Sequence, residues 1–518
     1  MDYGWLSIIP PMIAIILSFI TQEVLLSIFV AVLVGATIVN GDPLIGFTAT
    51  LNDYIVGALT DSWNVSILIF CLSIGGLIGI LSKNGGTNGI ANIIVKKAKS
   101  SKSTLITTYL MGILIFFDDY ANSLIVGNTM RSITDKMKIS REKLSYIIDS
   151  TAAPVSSIAF ISTWVGFETG LIKDGLAGID LDLNAYSIFM QSIPYRFYSL
   201  LALVFVLMII LTKKDFGPMY KAEKRTYLTG KLMDDDAKPT VSSELDEMES
   251  NTDKERWYNA IIPIASVIII TIIGLYINGG GLEGASIKDA FGEADASKVL
   301  LWSSFGGTII ASLLSLSQRI LSIKEIMESW TSGIKSMTTA SLILVLAWSL
   351  GNVNGDLGTA EFIVSITKGS LPTFLLPLIM FLLPAIVAFS TGSSWGANSI
   401  VMPLAIPLAF KLGGIDILVP TIGSVLTGAV LGDHCSPISD TTIMSSMASA
   451  CDHIAHVKTQ MPYALTVGLV SILVGFIPVG FGFNPWISLV IGIIILFAFL
   501  KIFGKRVSKE EKVSTEKI

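Results

Sequence analysis

The sequence predicts an all-α, polytopic membrane protein, and three observations support that fold class. Of the 518 residues, 52% are hydrophobic and 14% are charged, whereas soluble chains carry about 25% charged residues. Apolar runs near the ~20 residues that span a bilayer recur along the whole chain. Lysine and arginine cluster in a few connections, as expected of cytoplasmic loops. No basic face with interleaved aromatic residues is present, so nucleic acid is not an expected partner.

About eleven transmembrane helices and two further segments account for the apolar runs. We predict the spans at 5–20, 24–40, 65–82, 144–166, 187–212, 258–277, 298–316, 336–351, 417–450, 463–482 and 484–503. The segments 104–130 and 371–411 differ, because each is apolar at both ends and polar in the middle. All basic clusters fall on the cytoplasmic side only if neither segment crosses the membrane. Segment 104–130 then enters and leaves from the inside, and segment 371–411 enters and leaves from the outside. We therefore expect two re-entrant hairpins, an external N-terminus and a cytoplasmic C-terminus.

Six regions are expected along the chain. The linker among them is polar, carries three consecutive aspartates from Asp234 and lacks apolar periodicity, so we expect it to be flexible. The regions are an N-terminal helical hairpin (1–60), a first membrane repeat (61–212), a flexible cytoplasmic linker (213–257), connecting helices (258–335), a second, inverted membrane repeat (336–450), and C-terminal helices with a basic cytoplasmic tail (451–518).

Three landmarks recur in the same order in the two halves. They are Ser73-Ile74-Gly75-Gly76 against Ser349-Leu350-Gly351, Ala121-Asn122-Ser123-Leu124 against Ala397-Asn398-Ser399-Ile400, and Asp149 before Pro154-Val155-Ser156-Ser157 against Asp433 before Pro437-Ile438-Ser439-Asp440. By the predicted topology the first copy begins outside and the second begins inside. Such an inverted repeat predicts a binding site near the bilayer midplane.

The polar run from Leu431 to Thr442 lies inside an apolar stretch. Gly432 and Pro437 flank its centre and predict a broken helix whose freed backbone groups become ligands. An intramembrane carboxylate costs at least about 2.5–3.5 kcal/mol. We therefore expect Asp433 and Asp440 to bind a cation or protons, although a polar network that only pins the break is the alternative.

The hairpin tips supply further candidates. Two adjacent carboxylates in a poorly solvated place cannot both ionise cheaply, so one of Asp118 and Asp119 is expected to hold a proton or a cation. The neutral oxygens suit Na+, although the two Asn side chains could instead cap helices. The candidate cation- and proton-binding residues are Asp118, Asp119, Asn122, Ser123, Asn398, Ser399, Asp433, Ser436, Ser439 and Asp440, with Na+ expected at Asn122, Asn398 and Asp433.

Five other ionisable residues have weaker patterns. His434 is a possible proton relay with Asp149, while the alternatives are a hydrogen-bonded histidine at the break and a helix-end aspartate. His453 and His456 fall in a predicted cytoplasmic loop and are expected to be solvated. Glu168 is expected to face the outer surface.

These motifs resemble the NhaC-type Na+/H+ antiporter family. The stretches that carry the resemblance are 116–131, 151–154, 393–398 and 432–442, and Ser132 departs from it where relatives tend to carry Pro. The resemblance implies kinship with inverted-repeat ion transporters, exchange of cytoplasmic Na+ for external H+ in the cytoplasmic membrane, and no cofactor. A homodimer is compatible with it. Some relatives carry organic anions or amino acids, so Na+- or H+-coupled transport of a small amino or organic acid stays open.

An enzyme is not expected. Residues 392–396 match the Gly-x-Ser-x-Gly pattern of a hydrolase nucleophile. That motif needs a strand before it and a helix after it in a soluble sheet, and here it joins two apolar helical segments.

Overall fold

The computed structural model is built almost entirely of helices. The residues that it describes contain no named strand and only two isolated β-bridges. The described residues are 3–21, 23–89, 100–116, 118–160, 162–179, 181, 183–239, 255–285, 290, 294–359, 362, 372–437 and 439–507.

The helices of the first half begin at the N-terminus and end before residue 213. They are α1 (Ile9–Thr21), α2 (Val24–Asn40), α3 (Pro43–Ala49), α4 (Ser62–Lys83), α5 (Ser101–Leu114), α6 (Asp119–Lys136), α7 (Arg141–Thr151), α8 (Ala153–Ser156), α9 (Thr163–Ala177), α10 (Ala185–Ser192) and α11 (Phe197–Thr212).

One polar helix, α12 (Gly217–Thr229), connects the two halves. The helices of the second half are α13 (Tyr258–Asn278), α14 (Ala296–Ser317), α15 (Ile323–Ser336), α16 (Thr338–Asp356), α17 (Leu376–Thr391), α18 (Ser394–Cys435), α19 (Asp440–Ser449), α20 (His453–Val470) and α21 (Pro485–Phe503). Shorter turns are the 3₁₀-helices Gly4–Ile8, Ile193–Tyr195, Gly281–Glu283 and Thr373–Leu375, the π-helices Thr50–Ile55 and Ser471–Phe476, and the single turns Val56–Ala58 and Ile477–Gly480.

Side-chain caps begin the helices that matter for the site. Ser140 starts α7, Ser162 starts α9, Ser393 starts α18 and Asp452 starts α20, and each side chain accepts a backbone N–H of the first turn. An unpaired N–H in an apolar surrounding is costly, so such caps locate the helix starts.

Each half contains a hairpin followed by a broken helix. In the first half α5 and α6 form the hairpin, and residues 152–162 interrupt the helix that continues from α7 to α9. In the second half α17 and residues 394–413 of α18 form the hairpin. Gly414 then breaks α18 with φ 62° and ψ −154°, and residues 415–435 lead to the break before α19. The all-α fold is confirmed. Both predicted hairpin segments form pairs of packed helices, and their re-entrant path through the membrane stays a prediction.

The number of spans differs from a simple count of apolar helices. Within the described residues six helices are long and apolar enough to cross a membrane, and a seventh arises if the bent pair 185–195 and 197–212 forms one span. The predicted span 144–166 is divided among α7, the single turn α8 and α9, because the chain leaves helical geometry at Ala152 (φ −88°, ψ −92°) before Pro154. The total of eleven therefore stays a prediction.

Several basic segments meet at one end of the molecule. The Arg141 side chain donates to the carbonyl of Ala450 (2.9 Å), and the Arg506 side chain donates to the carbonyl of Thr212 (2.7 Å). These contacts join the start of α7, the end of α11, the corner between α19 and α20, and the C-terminal segment. We call this the basic end; that it is cytoplasmic stays a prediction.

The prediction of a flexible linker over 213–257 is wrong for residues 213–239. This part contains α12 and is tied to the basic end by ion pairs: Lys143 pairs with Asp215, and Arg225 donates to both oxygens of Glu142 at 3.0 Å. Burial raises the pKa of the Glu142 carboxyl, and the charge of Arg225 opposes that rise. A search for apolar periodicity cannot detect a segment that is held in place by ion pairs. Residues 240–254 lie outside the described part.

Candidate functional site

The predicted helix break lies between Cys435, where α18 ends, and Asp440, where α19 begins. Ser436 has extended backbone, and its hydroxyl donates to the carbonyl oxygen of Phe389 in α17 (2.8 Å). Ser439 is the N-cap of α19. The side chain of Asp440 lies outside the described part, so its role stays a prediction.

Gly432 has a different role from the predicted one. The helix continues through it, so the break does not lie there. A Cβ added at Gly432 would overlap the backbone carbonyl of Ala385 in α17. The glycine therefore allows close packing of two helices, and the break follows from Pro437, which has no N–H to donate.

Asp433 is buried at the end of α18, with 2% of its surface exposed. The Thr441 hydroxyl donates to its Oδ2 atom at 3.0 Å. The carboxylate thus connects the last turn of α18 with the first turn of α19 across the break.

Asp149 is the centre of a buried polar network, although it comes from the other half of the chain. The residue is 1% exposed. Its oxygens accept hydrogen bonds from Thr442 Oγ1 (3.0 Å), Ser445 Oγ (3.4 Å) and Gln460 Nε2 (2.5 Å), and the Nε2 atoms of His456 and His434 lie 3.4 and 3.7 Å from Oδ2.

His434 completes this network on α18. Its Nδ1 atom lies 2.6 Å from the hydroxyl of Tyr198 in α11, and its Nε2 atom lies 3.2 Å from the hydroxyl of Ser150. Asp149 and His434, the predicted relay pair, are therefore brought together. In the described part of the chain, no group of three or more His, Cys, Asp or Glu side chains could hold a metal ion.

The expectation of a solvated loop around His453 and His456 is wrong. Both lie in α20, His456 is completely buried, and His453 Nε2 lies 2.6 Å from the carbonyl oxygen of Pro437. Asp452 is the signal in the sequence that could have indicated this helix, because Asp is a common N-cap residue. His456 and Gln460 follow it four and eight positions later. That spacing places both side chains on one helix face.

The first hairpin tip is held by Asn122, while Asp118 and Asp119 beside it are 3% and 2% exposed. The amide nitrogen of Asn122 donates to the carbonyls of Gly112 (2.6 Å), Ile115 (3.1 Å) and Thr151 (2.8 Å). These three bonds determine the orientation of the amide. Its oxygen Oδ1 is buried and has no hydrogen-bond partner among the described residues. The nitrogen therefore caps helix ends, and the oxygen is available to a ligand.

Ser123 links this tip to the Asp149 network. Its hydroxyl lies 3.4 Å from the hydroxyl of Ser445, which in turn donates to Asp149. The tip of the first hairpin is thus two hydrogen bonds from the buried carboxylate.

The second hairpin tip carries Asn398, which is completely buried on α18. Neither its Oδ1 nor its Nδ2 atom has a hydrogen-bond partner in the part of the chain that the structure describes. Ser399 donates to the carbonyl of Trp395 within its own helix (2.9 Å). No hydrogen bond therefore brings Asn398 to Asn122, its predicted partner in a shared Na+ site.

The hairpin of each half packs against the broken helix of the other half. In the first hairpin, α6 packs against α19 of the second half. In the second, α18 packs against α9 of the first half, with the ring of Trp395 5.9 Å from Trp164 and 4.1 Å from Phe167. The candidate residues are consequently arranged in two groups, one around the break before α19 and one at the start of α9.

Glu168 does not face the outer surface, which corrects its predicted position. It is fully buried on α9 and pairs with Arg196, also fully buried, at 2.7 Å. Arg196 also donates to the carbonyl of Ser157 and to the hydroxyl of Ser192. Residue 196 lies at the 48° bend between 185–195 and α11, and the sequence carries no pattern that predicts its partner.

Comparison with known proteins agrees with this architecture. Residues 158–481 match the model of the Na+/H+ antiporter family. An uncharacterized protein of Haemophilus influenzae is 33% identical over 490 residues, which is 92% of this chain and 91% of the relative. The malate-2H(+)/Na(+)-lactate antiporter of Bacillus subtilis is 29% identical over 172 residues, 31% of this chain and 34% of that protein. In fold the chain is similar to MtrF of Neisseria gonorrhoeae, from a class of antimetabolite efflux pumps, with a TM-score of 0.54 at 12% identity over 88% of this chain and 84% of MtrF.

Proposed function

Because the chain belongs to the Na+/H+ antiporter family, we propose that this multi-pass membrane transporter exchanges cytoplasmic Na+ for external H+. The observation that carries the proposal is the connection of Asp149 to the first hairpin tip through Ser445 and Ser123. A buried ionisable group and a set of hard neutral oxygens are the two parts that cation–proton exchange requires.

In this mechanism Asp149 holds the proton together with His434 and His456. A lone carboxylate in the membrane interior is costly, and two imidazoles within 3.7 Å can share its proton. The hydroxyls of Thr442 and Ser445 and the amide of Gln460 stabilise the ionised state when the proton leaves.

The Na+ ion is bound at the first hairpin tip. The buried Oδ1 of Asn122 supplies a neutral oxygen, and Asp118 or Asp119 supplies the charge. A second group of proposed cation ligands lies at the break before α19 and consists of Asp433, Ser436, Ser439 and Asp440. Ser399, whose hydroxyl donates to the carbonyl of Trp395, lies on the second hairpin and is not assigned to the site at the first tip.

Competition between Na+ and protons then follows from the short distance between the two sites. A cation at the Ser123 hydroxyl changes the hydrogen bond that Ser445 makes to Asp149, and so favours loss of the proton. The reverse also holds, because coupling between two binding sites is reciprocal.

The proposal places the basic end, with the C-terminus, in the cytoplasm of a cell whose cytoplasmic membrane holds the protein. No bound cofactor takes part. Transport of a small amino or organic acid coupled to Na+ or H+ is the second candidate, and the partial similarity to a malate/lactate antiporter favours it.

Purified protein in proteoliposomes with an enclosed pH dye tests the proposal. Added Na+ alone should release protons, and lowering the pH should raise the apparent KM for Na+. Asp149→Asn should abolish proton release, while Asn122→Ala should raise the KM for Na+ about tenfold, since it removes one ligand to a charged group. The exposed Asp53→Asn is the matched control and should behave as wild type.

Two results would contradict antiport. One is an apparent KM for Na+ that does not change with pH, together with full activity of Asp149→Asn. The other is proton movement that begins only when an organic solute is added, which would support the second candidate.

A further inference from the structure

The starts of α9 and α18 lie side by side and point in the same direction. Trp164 in the first turn of α9 contacts Trp395 in the first turn of α18. Eleven residues further along each helix, Gly175 packs against Ile406. The two helices are therefore parallel with their N-termini level, and their positive dipole ends add at one place.

Three polar side chains at these helix starts carry buried atoms without a hydrogen-bond partner in the described part of the chain. The Thr163 hydroxyl, the indole N–H of Trp164 and both amide atoms of Asn398 lack a hydrogen bond to any described residue, although the side chains are 0%, 1% and 0% exposed. A buried donor without an acceptor is unfavourable by about 1–3 kcal/mol. A single ligand that accepts hydrogen bonds from these donors would remove this cost.

The chemistry of these groups specifies an anionic acceptor with an apolar body. The indole can only donate, and the Thr163 hydroxyl and the Asn398 amide nitrogen can donate beside it, while the Asn398 amide oxygen can accept from a hydroxyl or ammonium group of the same solute. Two helix N-termini favour negative charge, while the rings of Trp395 and Phe167 offer an apolar wall. The Arg196 guanidinium pairs with Glu168 and donates to Ser157 and Ser192, so it is not assigned to this site.

We propose that the adjoining starts of α9 and α18 bind the carboxylate group of a small organic solute, with Thr163, Trp164 and Asn398 as hydrogen-bond donors. This site goes beyond Na+/H+ exchange and uses none of the residues assigned to the proton. Asn398 thereby serves the solute, in place of the Na+ role that its position in the repeat suggested.

The thermal stability of purified protein in detergent, measured with sodium acetate, propionate or L-lactate, tests the proposal. NaCl keeps total Na+ constant, and acetamide is the uncharged analogue. At least one carboxylate should raise the melting temperature in a saturable way, and acetamide and sodium sulfate should not. Trp164→Phe keeps an aromatic ring, although a smaller one, and removes the indole N–H, so it should weaken the apparent affinity about tenfold.

Trp348→Phe is the matched control. The indole N–H of Trp348 is likewise buried without a partner among the described residues, but it lies beside Gly170, about two turns along α9 from Trp164. This variant should bind the carboxylate as wild type does. Thr163→Val, an isosteric change, gives a second test if Trp164→Phe is poorly folded.

Equal carboxylate affinity in Trp164→Phe, Thr163→Val and Trp348→Phe would overturn the site. So would equal stabilisation by acetamide or sulfate, or the absence of stabilisation by every carboxylate tested. Proton release by Na+ alone, measured in the same preparation, reports separately on the proposed antiport.

Discussion

Loss of Arg196 should destabilise the protein strongly, because its partner Glu168 would be left as an unpaired charge in the interior. Both side chains are 0% exposed. Arg196→Met also removes the donors to the Ser157 carbonyl and the Ser192 hydroxyl. Breaking a buried pair from one side costs about 3–5 kcal/mol, and we expect a loss in that range.

The double variant Glu168→Leu with Arg196→Met should recover most of this loss. Removing both charges also removes the desolvation cost, and an apolar pair of similar volume is often neutral or stabilising. We expect the stability of the double variant to lie within about 1–2 kcal/mol of wild type. The remaining loss comes from the Ser157 carbonyl and the Ser192 hydroxyl, which no longer accept a hydrogen bond from residue 196.

Equilibrium unfolding in mixed detergent micelles, followed by far-UV circular dichroism, measures these differences. The exposed pair of Lys324 and Glu328, 3.7 Å apart, is the control, and Lys324→Met should cost about 0.5 kcal/mol or less. A loss below about 1 kcal/mol in Arg196→Met, or a double variant less stable than either single one, would refute the reasoning.

Two further predictions concern packing and orientation. Gly432→Ala should destabilise the protein by about 1–3 kcal/mol, because the added Cβ meets the backbone of α17. Gly355→Ala, with open space around it, is the control and should be neutral or stabilising by up to about 1 kcal/mol. A similar effect of both substitutions in the unfolding assay would contradict the close contact at Gly432. Cysteine at the exposed Lys213 should react with an impermeant maleimide only from the cytoplasm, and cysteine at the exposed Asp53 only from outside, in a background without the three native cysteines. Labelling of both from one side would contradict the topology.

The hairpins and the break before α19 were predictable because local chemistry determines them. Pro437 inside an apolar run cannot continue the backbone ladder, and polar tips between apolar arms cannot cross a bilayer. The packing of each hairpin against the broken helix of the other half was not predictable. Which arm contacts α9 or α19 depends on packing between segments that are distant in the chain, and a single sequence has no pattern for it.

The candidate site was predicted in part for the same reason. Asp149 is a candidate from its place before Pro154 in the repeat and His434 from the polar run, and the structure brings the two together. His456 was missed because a polar stretch that follows a span was interpreted as a loop, when the stretch begins a capped helix. Glu168 was misplaced because its pairing with Arg196 depends on packing between segments that are distant in the chain. Pro194 is a local signal for the bend at residue 196, but it does not predict the partner.

The composition of the Asp149 network has a consequence for biosynthesis. Thr442, a hydrogen-bond partner of Asp149, is 293 residues further along the chain, and His434, Ser445, His456 and Gln460 all come from the same late region. At about 5–20 residues per second, a ribosome needs roughly 15–60 s to make that stretch. During this interval the first half resides in the membrane with a carboxylate that no partner yet stabilises. The first half alone is therefore a poor candidate for an independently stable fragment, and a truncated chain that ends before residue 434 should be a substrate for membrane quality-control proteases.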